Sequence, residues 1–490
     1  MFDKLKELSK DTAIYGVSTM VGRFLTFLLV PFYTHVFSDF EYGIVSNLYI
    51  FIAIFNVIFI YGMDAAYLKF AAVTGAGDER DNFSTPFISV FIAGVILSLL
   101  IIILKKIIFL TFDLPFDHLK LIYLVVPILF IDAISVIPFI KLRLERQARK
   151  FALFKLLNII VNVCLNLYLI LKLKWGIEAV FFSNIAASLV SFLLLFPVVL
   201  KNFKIKLRLE LLKKLLKFGI PYLPAGLASM FIQGIDRPIL GHLTNLGTVG
   251  IYNANYKLGI FMMLFVSMFQ YAWQPFFLQN AEEKNAKELF SKVLSYFTIA
   301  ASFILIIVSL FISDIVRINI FGYSIIGKAF WSGLDIVPVI LFGYLFNGLY
   351  VIFTAGIFIK EKSIYVPFIT GLGAVVNIAV NFALIPSMRM MGAAIATLAA
   401  YFAMAVCLYI VTQKIYKIEY EYKKMIKIFS SILLTGLLYY SFLYSGHLLF
   451  IYKILLMIMF TSWMLLYVVN KSEWDFIKTK ILKIGVKNNG

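Results

Sequence analysis

Charge is what this chain has least of: only 14% of its 490 residues are Asp, Glu, Lys or Arg, against 62% that are hydrophobic. Soluble domains carry roughly a quarter charged and about 45–50% apolar residues, so a water-soluble globular fold is excluded. Cysteine is nearly missing too. Cys164 and Cys407 both fall inside apolar runs, which rules out a disulfide framework or a thiolate metal site and leaves two small hydrophobes. The four histidines, His35, His118, His242 and His447, are scattered without ligand spacing, and neither G-x-S-x-G nor H-E-x-x-H occurs. Hydrolase and zinc-protease chemistry therefore have no starting point. The stretch GYSIIGKA at 322–329 has phosphate-loop spacing, but Ala329 stands where Ser or Thr would meet magnesium. These absences predict a protein that is not an enzyme, has no catalytic residues and no metal site, and needs no resident cofactor.

What is present is apolar length. About fourteen apolar runs, bounded by turn or charge signals, are each long enough to cross a ~30 Å hydrocarbon layer. The fold expected is all-α, a polytopic membrane protein. The first run follows a basic leader, is too long for a signal-peptide core and contains Arg23, so it reads as an uncleaved span. The formal charge of +19 comes from basic residues between apolar segments rather than on one face. That pattern predicts topology, not nucleic-acid binding: the inner loops collect most Lys and Arg when both termini are cytoplasmic. The loop TGAGDERDNFS at 74–84 departs from this rule.

The chain also repeats itself. Pro31 and Gly43-Ile44 recur as Pro238 and Gly250-Ile251, and VNVCLN (Val161 to Asn166) recurs as VNIAVN (Val376 to Asn381), at offsets of about 210 residues. Six spans per copy leave both copies inserted in the same direction, as a parallel repeat. The expected organisation is an N-lobe over 1–205 (spans one to six), a C-lobe over 206–415 (spans seven to twelve), and spans thirteen and fourteen with a basic cytoplasmic tail over 416–490. An interfacial connector helix is expected at 201–217, where basic and apolar residues alternate.

Polar residues inside spans are costly, about 2.5–3.5 kcal/mol for a charge at mid-helix, and need a partner or water. Arg23 and Asp132 lie halfway along spans one and four. Asp64 and Lys69 sit toward the inner end of span two; Asp236, Arg237 and Lys257 lie in the outer third of spans seven and eight. Asn158, Asn162 and Asn166 form one helical stripe, and Asn377 and Asn381 a second. Either stripe joins helices or faces a ligand. Asp64, Asp132 and Asp236 are candidates for ion pairing or coupling. Asp236 and Arg237 are about 100° apart on a helix, so they do not simply stack on one another, and pairing of either with another span is left open. Lys69 and Lys155 are close enough to inner ends to snorkel.

Taken together, TAIYGVSTMVGRFLTFLLVPFYTHVFSDFEYGIVS, FIDAISVIPFIKLRLERQARKFALFKLLNIIVNVCLN and FGIPYLPAGLASMFIQGIDRPILGHLTNLGTVGIYNANYKLG resemble the polysaccharide-unit (O-antigen or oligosaccharide) flippases of the multidrug/oligosaccharidyl-lipid/polysaccharide (MOP) exporter superfamily. The resemblance implies two six-helix lobes in a V around a central cavity. It also implies passage of an undecaprenyl-pyrophosphate-linked oligosaccharide from the inner to the outer leaflet of the bacterial cytoplasmic membrane, for lipopolysaccharide or other surface polysaccharide. Family cavities are often cationic, which on this sequence implies Arg23, Arg237 and Lys257 as substrate-binding residues, joined by Asn162, Asn166, Asn377 and Asn381 if the stripes face inward. Asp236 would orient Arg237 or share a coupling proton; with no nucleotide motor, H+ or Na+ coupling is left open. Membrane lipids, a polysaccharide polymerase and chain-length machinery are the implied partners. A cation-coupled multidrug exporter on the same scaffold is the alternative.

Overall fold

The computed structural model describes residues 16, 20–22, 24–73, 79–320, 322–446 and 449–469. Among them, twelve helices are long and apolar enough to cross a bilayer. They follow the expected runs, except that the first span falls in part outside the described residues and the second, third and seventh are interrupted at Tyr61–Gly62, Leu104 and Ile235. The protein is an all-α, multi-pass membrane protein. Its outer surface is apolar as lipid requires: Ile103, Phe368 and Leu437 are 76%, 72% and 71% exposed.

The first half contains α1 (Leu29–Val36), α2 (Asp39–Ile60), α3 (Met63–Val73), α4 (Glu79–Ile103), α5 (Lys105–Thr111), α6 (Ile122–Leu144), α7 (Ala148–Leu171) and α8 (Glu178–Asn202). A connector, α9 (Leu209–Gly219), leads into the second half. That half comprises α10 (Tyr222–Gly234), α11 (Asp236–Leu243), α12 (Leu246–Tyr256), α13 (Ile260–Asn280), α14 (Ala286–Arg317), α15 (Val337–Ile359), α16 (Tyr365–Met388) and α17 (Met390–Ile415). Two more helices, α18 (Tyr422–Tyr444) and α19 (Phe450–Trp463), pack on α14. Lys453 fixes α19 there through Asp314 (2.6 Å) and Ser313 (2.8 Å).

Local chemistry explains why the halves match. Proline has no N–H and its ring crowds the carbonyl four residues back. Pro31 interrupts the helix at Leu28, and Pro238 interrupts it at Ile235, which separates α10 from α11. Each first helix then turns into a capped second one. Ser38 accepts from the Glu41 N–H while Glu41 accepts from the Ser38 N–H, a capping box; Asn245 accepts from the Thr248 N–H at 2.8 Å. Gly43 in α2 faces the Leu246 carbonyl, and Gly250 in α12 faces the Asp39 carbonyl. A Cβ at either position would strike backbone. On the register that aligns Gly43 with Gly250, these two contacts are one contact seen from either side, as around a twofold axis. This seam lies at the end of the bundle away from the connector.

The connector differs from its expectation. The helix starts at Leu209, not 201, and runs at 42° to α10. In Lys204–Arg208 basic and apolar residues alternate strictly, the period of an extended strand rather than a helix. The segment is bound to the N-lobe: the Lys204 and Arg208 N–H groups donate to Ser84 Oγ (2.7 Å) and Thr85 Oγ1 (3.3 Å), and Lys206 pairs with Asp81 at 3.1 Å. The α9 helix packs on α3 and α4. At its end Gly219 touches Gly62, which has φ +75° beside the left-handed Tyr61, a conformation that favours glycine.

Candidate functional site

Between the lobes, on the connector side of the glycine seam, lies a cavity of about 520 Å³. The N-lobe contributes Gly22, Thr26, Phe27, Phe151, Lys155 and Ile159; the C-lobe contributes Gln233, Tyr256, Lys257, Ile260, Met263 and Tyr344. Two lysines thus face it from opposite lobes, and among the described lining residues none is acidic. A second cavity, about 230 Å³ between α14, α15 and α18, has no charged lining residue.

Lys257 sits where α12 gives way to a 3-10 turn (Lys257–Gly259). It donates to Tyr42 Oη at 3.2 Å, across the lobe boundary, and lies 5.6 Å from the centre of that ring. Lys155, expected to snorkel to the inner membrane edge, instead projects into the cavity wall with its ammonium 4.3 Å from the Phe139 ring centre. Its position on the face of α7 shared with Asn158 and Asn162 was the available signal. Tyr256, Tyr344, Gln233 and Thr26 carried no such signal.

Arg237 is buried behind the wall rather than in it. It pairs with its neighbour Asp236 at 2.8 Å, so the ion pair for which Asp236 was a candidate forms with the adjacent residue rather than with another span. The 100° between their backbone positions restricts the Cβ atoms, but the long arginine stem folds back across the break at Ile235. One guanidinium nitrogen also reaches the Gln233 carbonyl (2.6 Å), Nε reaches Asn253 Oδ1 (3.3 Å), and the group lies 4.2 Å from the Tyr256 ring centre. Asp236 further accepts from Tyr252 Oη (2.5 Å) and Thr397 Oγ1 (3.5 Å). A buried pair hydrogen-bonded on both sides keeps its geometry, and its charges cancel. Among the described residues, the positive field of the cavity therefore comes from Lys155 and Lys257.

The remaining residues are placed as follows. Arg23 lies outside the described residues. Asp64 is exposed at the start of α3. Asp132 accepts from Ser188 Oγ at 2.7 Å. Asn166 donates to the Asn162 carbonyl (2.9 Å) and Oδ1 (3.2 Å) and accepts from Tyr33 Oη (2.8 Å), which ties α7 to α1. Asn381 donates to Asn377 in the same pattern, at 2.9 Å to each acceptor. None of these four asparagines lines the cavity.

The fold is shared with solved structures. A lipid II flippase, MurJ, in an inward closed conformation has TM-score 0.71 at 16% identity over 92% of this chain and 98% of its own. An inward-facing multidrug resistance MATE transporter of the MOP superfamily gives 0.65 at 14% identity, over 82% and 97%. An outward-facing one gives 0.57 at 15% identity, over 83% and 95%. No curated protein matches the sequence. The chain thus has the fold of these multi-pass membrane transporters. Residues 8–281 match the family model described as polysaccharide biosynthesis protein, and the chain belongs to that family.

Proposed function

We propose that this protein is a flippase that carries an undecaprenyl-pyrophosphate-linked oligosaccharide from the inner to the outer leaflet of the bacterial cytoplasmic membrane, for O-antigen or similar surface polysaccharide. The observation that carries this reading is the cavity with Lys155 on one lobe, Lys257 on the other and no acidic residue among its described lining. A unit charge pair at 4 Å is worth about 4 kcal/mol at the effective dielectric of a partly wet site, enough to hold a diphosphate head group. Membership of the polysaccharide biosynthesis family supports the same substrate class. The basic connector and inner loops support an orientation with both termini and the connector face in the cytoplasm. Alternating access follows if the glycine seam opens while the connector side closes.

A proton or sodium ion is the proposed driving ion, with Asp236 as its candidate site; a polymerase and chain-length proteins are the proposed downstream partners. The protein itself performs no bond chemistry in this scheme. A cation-coupled multidrug exporter is the second reading, favoured by the fold shared with MATE transporters; paired lysines in the cavity would repel lipophilic cations. A leaflet-translocation assay separates the two. Lys257→Ala at normal expression is expected to abolish appearance of the lipid-linked sugar in the outer leaflet. Normal translocation by that variant, or drug resistance conferred by the wild type, overturns the flippase reading.

A further inference from the structure

We propose that a groove along α9 is a binding site for an anionic phospholipid of the leaflet on the connector side, seated at the joint between the two halves. The site is separate from the interlobe cavity and does not depend on what that cavity carries. The α9 helix runs between the end of α8 at Asn202 and the start of α10 at Tyr222, so it lies at the rim of the bilayer rather than across it. Its sequence LELLKKLLKFG carries apolar residues on two faces. Leu215, which is buried, and Phe218, whose ring meets Phe70 edge-on at 5.9 Å, turn toward α3 and α4. At about 100° per residue, Leu209, Leu212 and Leu216 fall on a second face about 120° round the helix, and Leu209 is 72% exposed. That second face borders a groove of about 560 Å³, with Ile220 and Pro221 at its end and Lys213 and Lys217 along its edge. Among the described residues, no acid lines the groove and neither lysine meets a carboxylate. Glu210, the only acid in α9, falls beyond Lys217 from the apolar stripe.

The two parts of the groove match the two parts of one molecule. An apolar stripe at the rim of the bilayer loses free energy to water and is covered by acyl chain. Two ammonium groups one turn apart, with no counter-charge of their own, attract a phosphate diester at the membrane surface. They favour a head group that is anionic overall, because a choline or ethanolamine would set a further cation beside them. The end of the groove at Ile220 and Pro221 is where the chain leaves the connector for α10. A lipid seated there touches the connector, which the N-lobe holds, and the joint to the C-lobe at once.

The test uses the full-length protein in nanodiscs of phosphatidylcholine containing a small fraction of one brominated lipid, whose acyl chains quench tryptophan on contact. Leu209→Trp reports from the groove, and Leu437→Trp from the lipid-facing middle of α18, each read against its parent. Each lysine is worth about fivefold in preference for an anionic lipid. Brominated phosphatidylglycerol is therefore expected to outcompete brominated phosphatidylcholine roughly twenty-five-fold at Leu209→Trp, with no preference at Leu437→Trp. Lys213→Gln with Lys217→Gln should abolish the preference at an unchanged unfolding temperature. Lys213→Arg with Lys217→Arg should keep it within a few fold, and Lys172→Gln with Lys174→Gln, beyond the end of α7, should leave it intact. Equal quenching by the two lipids, a preference that survives the Gln pair, or the same preference at Leu437→Trp overturns the site. So does relief of quenching by inorganic phosphate, which would make the occupant a free anion, and so does quenching by neither lipid. None of these results bears on the flippase reading, which Lys257→Ala decides.

Discussion

The two halves of the molecule share backbone devices but not charge. Pro31 and Pro238 break their helices at matching positions, Ser38 and Asn245 cap matching turns, and Gly43 and Gly250 meet each other's helix. On that register Leu29 and Val30, buried hydrophobes, stand where the second half has the pair Asp236–Arg237, and Ile50 stands where it has Lys257. On the register that aligns Asn162 with Asn377, Lys155 of the first half is replaced by Thr370. The difference teaches that the two halves share what shapes the helices and differ in their ionic content. Among the described residues each lobe brings one lysine to the cavity, but from a different helix, so the two charges are not symmetry mates.

The most severe way to break this comparison is at the shared seam. Gly43→Ala and Gly250→Ala each place a methyl group against backbone, and both are expected to stop the seam from closing and to abolish transport. Thiol labelling of Thr34→Cys, buried beside Gly327 in the wild type, should rise in either variant. Next is the ion pair that only the second half possesses. Arg237→Ala leaves Asp236 buried and unpaired and should cost about 3–5 kcal/mol; the joint change to Leu and Val, copying Leu29 and Val30, should cost much less, both read by thermal unfolding in detergent. Lys257→Gln should weaken pyrophosphate binding by one to two orders of magnitude, about 1.4–2.7 kcal/mol, with unchanged unfolding temperature. The mildest change is Tyr33→Phe. It removes the bond to Asn166, which the second half lacks because Leu240 takes that place, and should cost about 1 kcal/mol.

Much of the architecture was legible in the sequence because lipid imposes length and hydropathy on every span, and because the paired Pro, Gly and Asn residues betray the repeat. The connector was misjudged by its first residues: a basic-apolar alternation looks amphipathic at either period, and only Ser84, Thr85 and Asp81 reveal that it is held extended. The candidate site was less legible. Position along a span says how deep a charge lies but not which way it points, so Lys155 was assigned to the membrane edge and Arg237 to the cavity. Pairing between chain neighbours depended on a helix break whose effect on side-chain reach no spacing rule conveys.

The strip from Lys204 to Arg208 has one last effect. Sewn to α4 and followed by a helix that rides on α3, it shortens the free tether between the halves to the few residues about Ile220 and Pro221. Whatever rocking the halves undergo then bends the chain just past the contact of Gly219 with Gly62, at Ile220 and Pro221, with the connector carried as a passenger of the first half. A slack tether would have let the halves slide as well as tilt; this one leaves tilting as the motion the covalent chain permits.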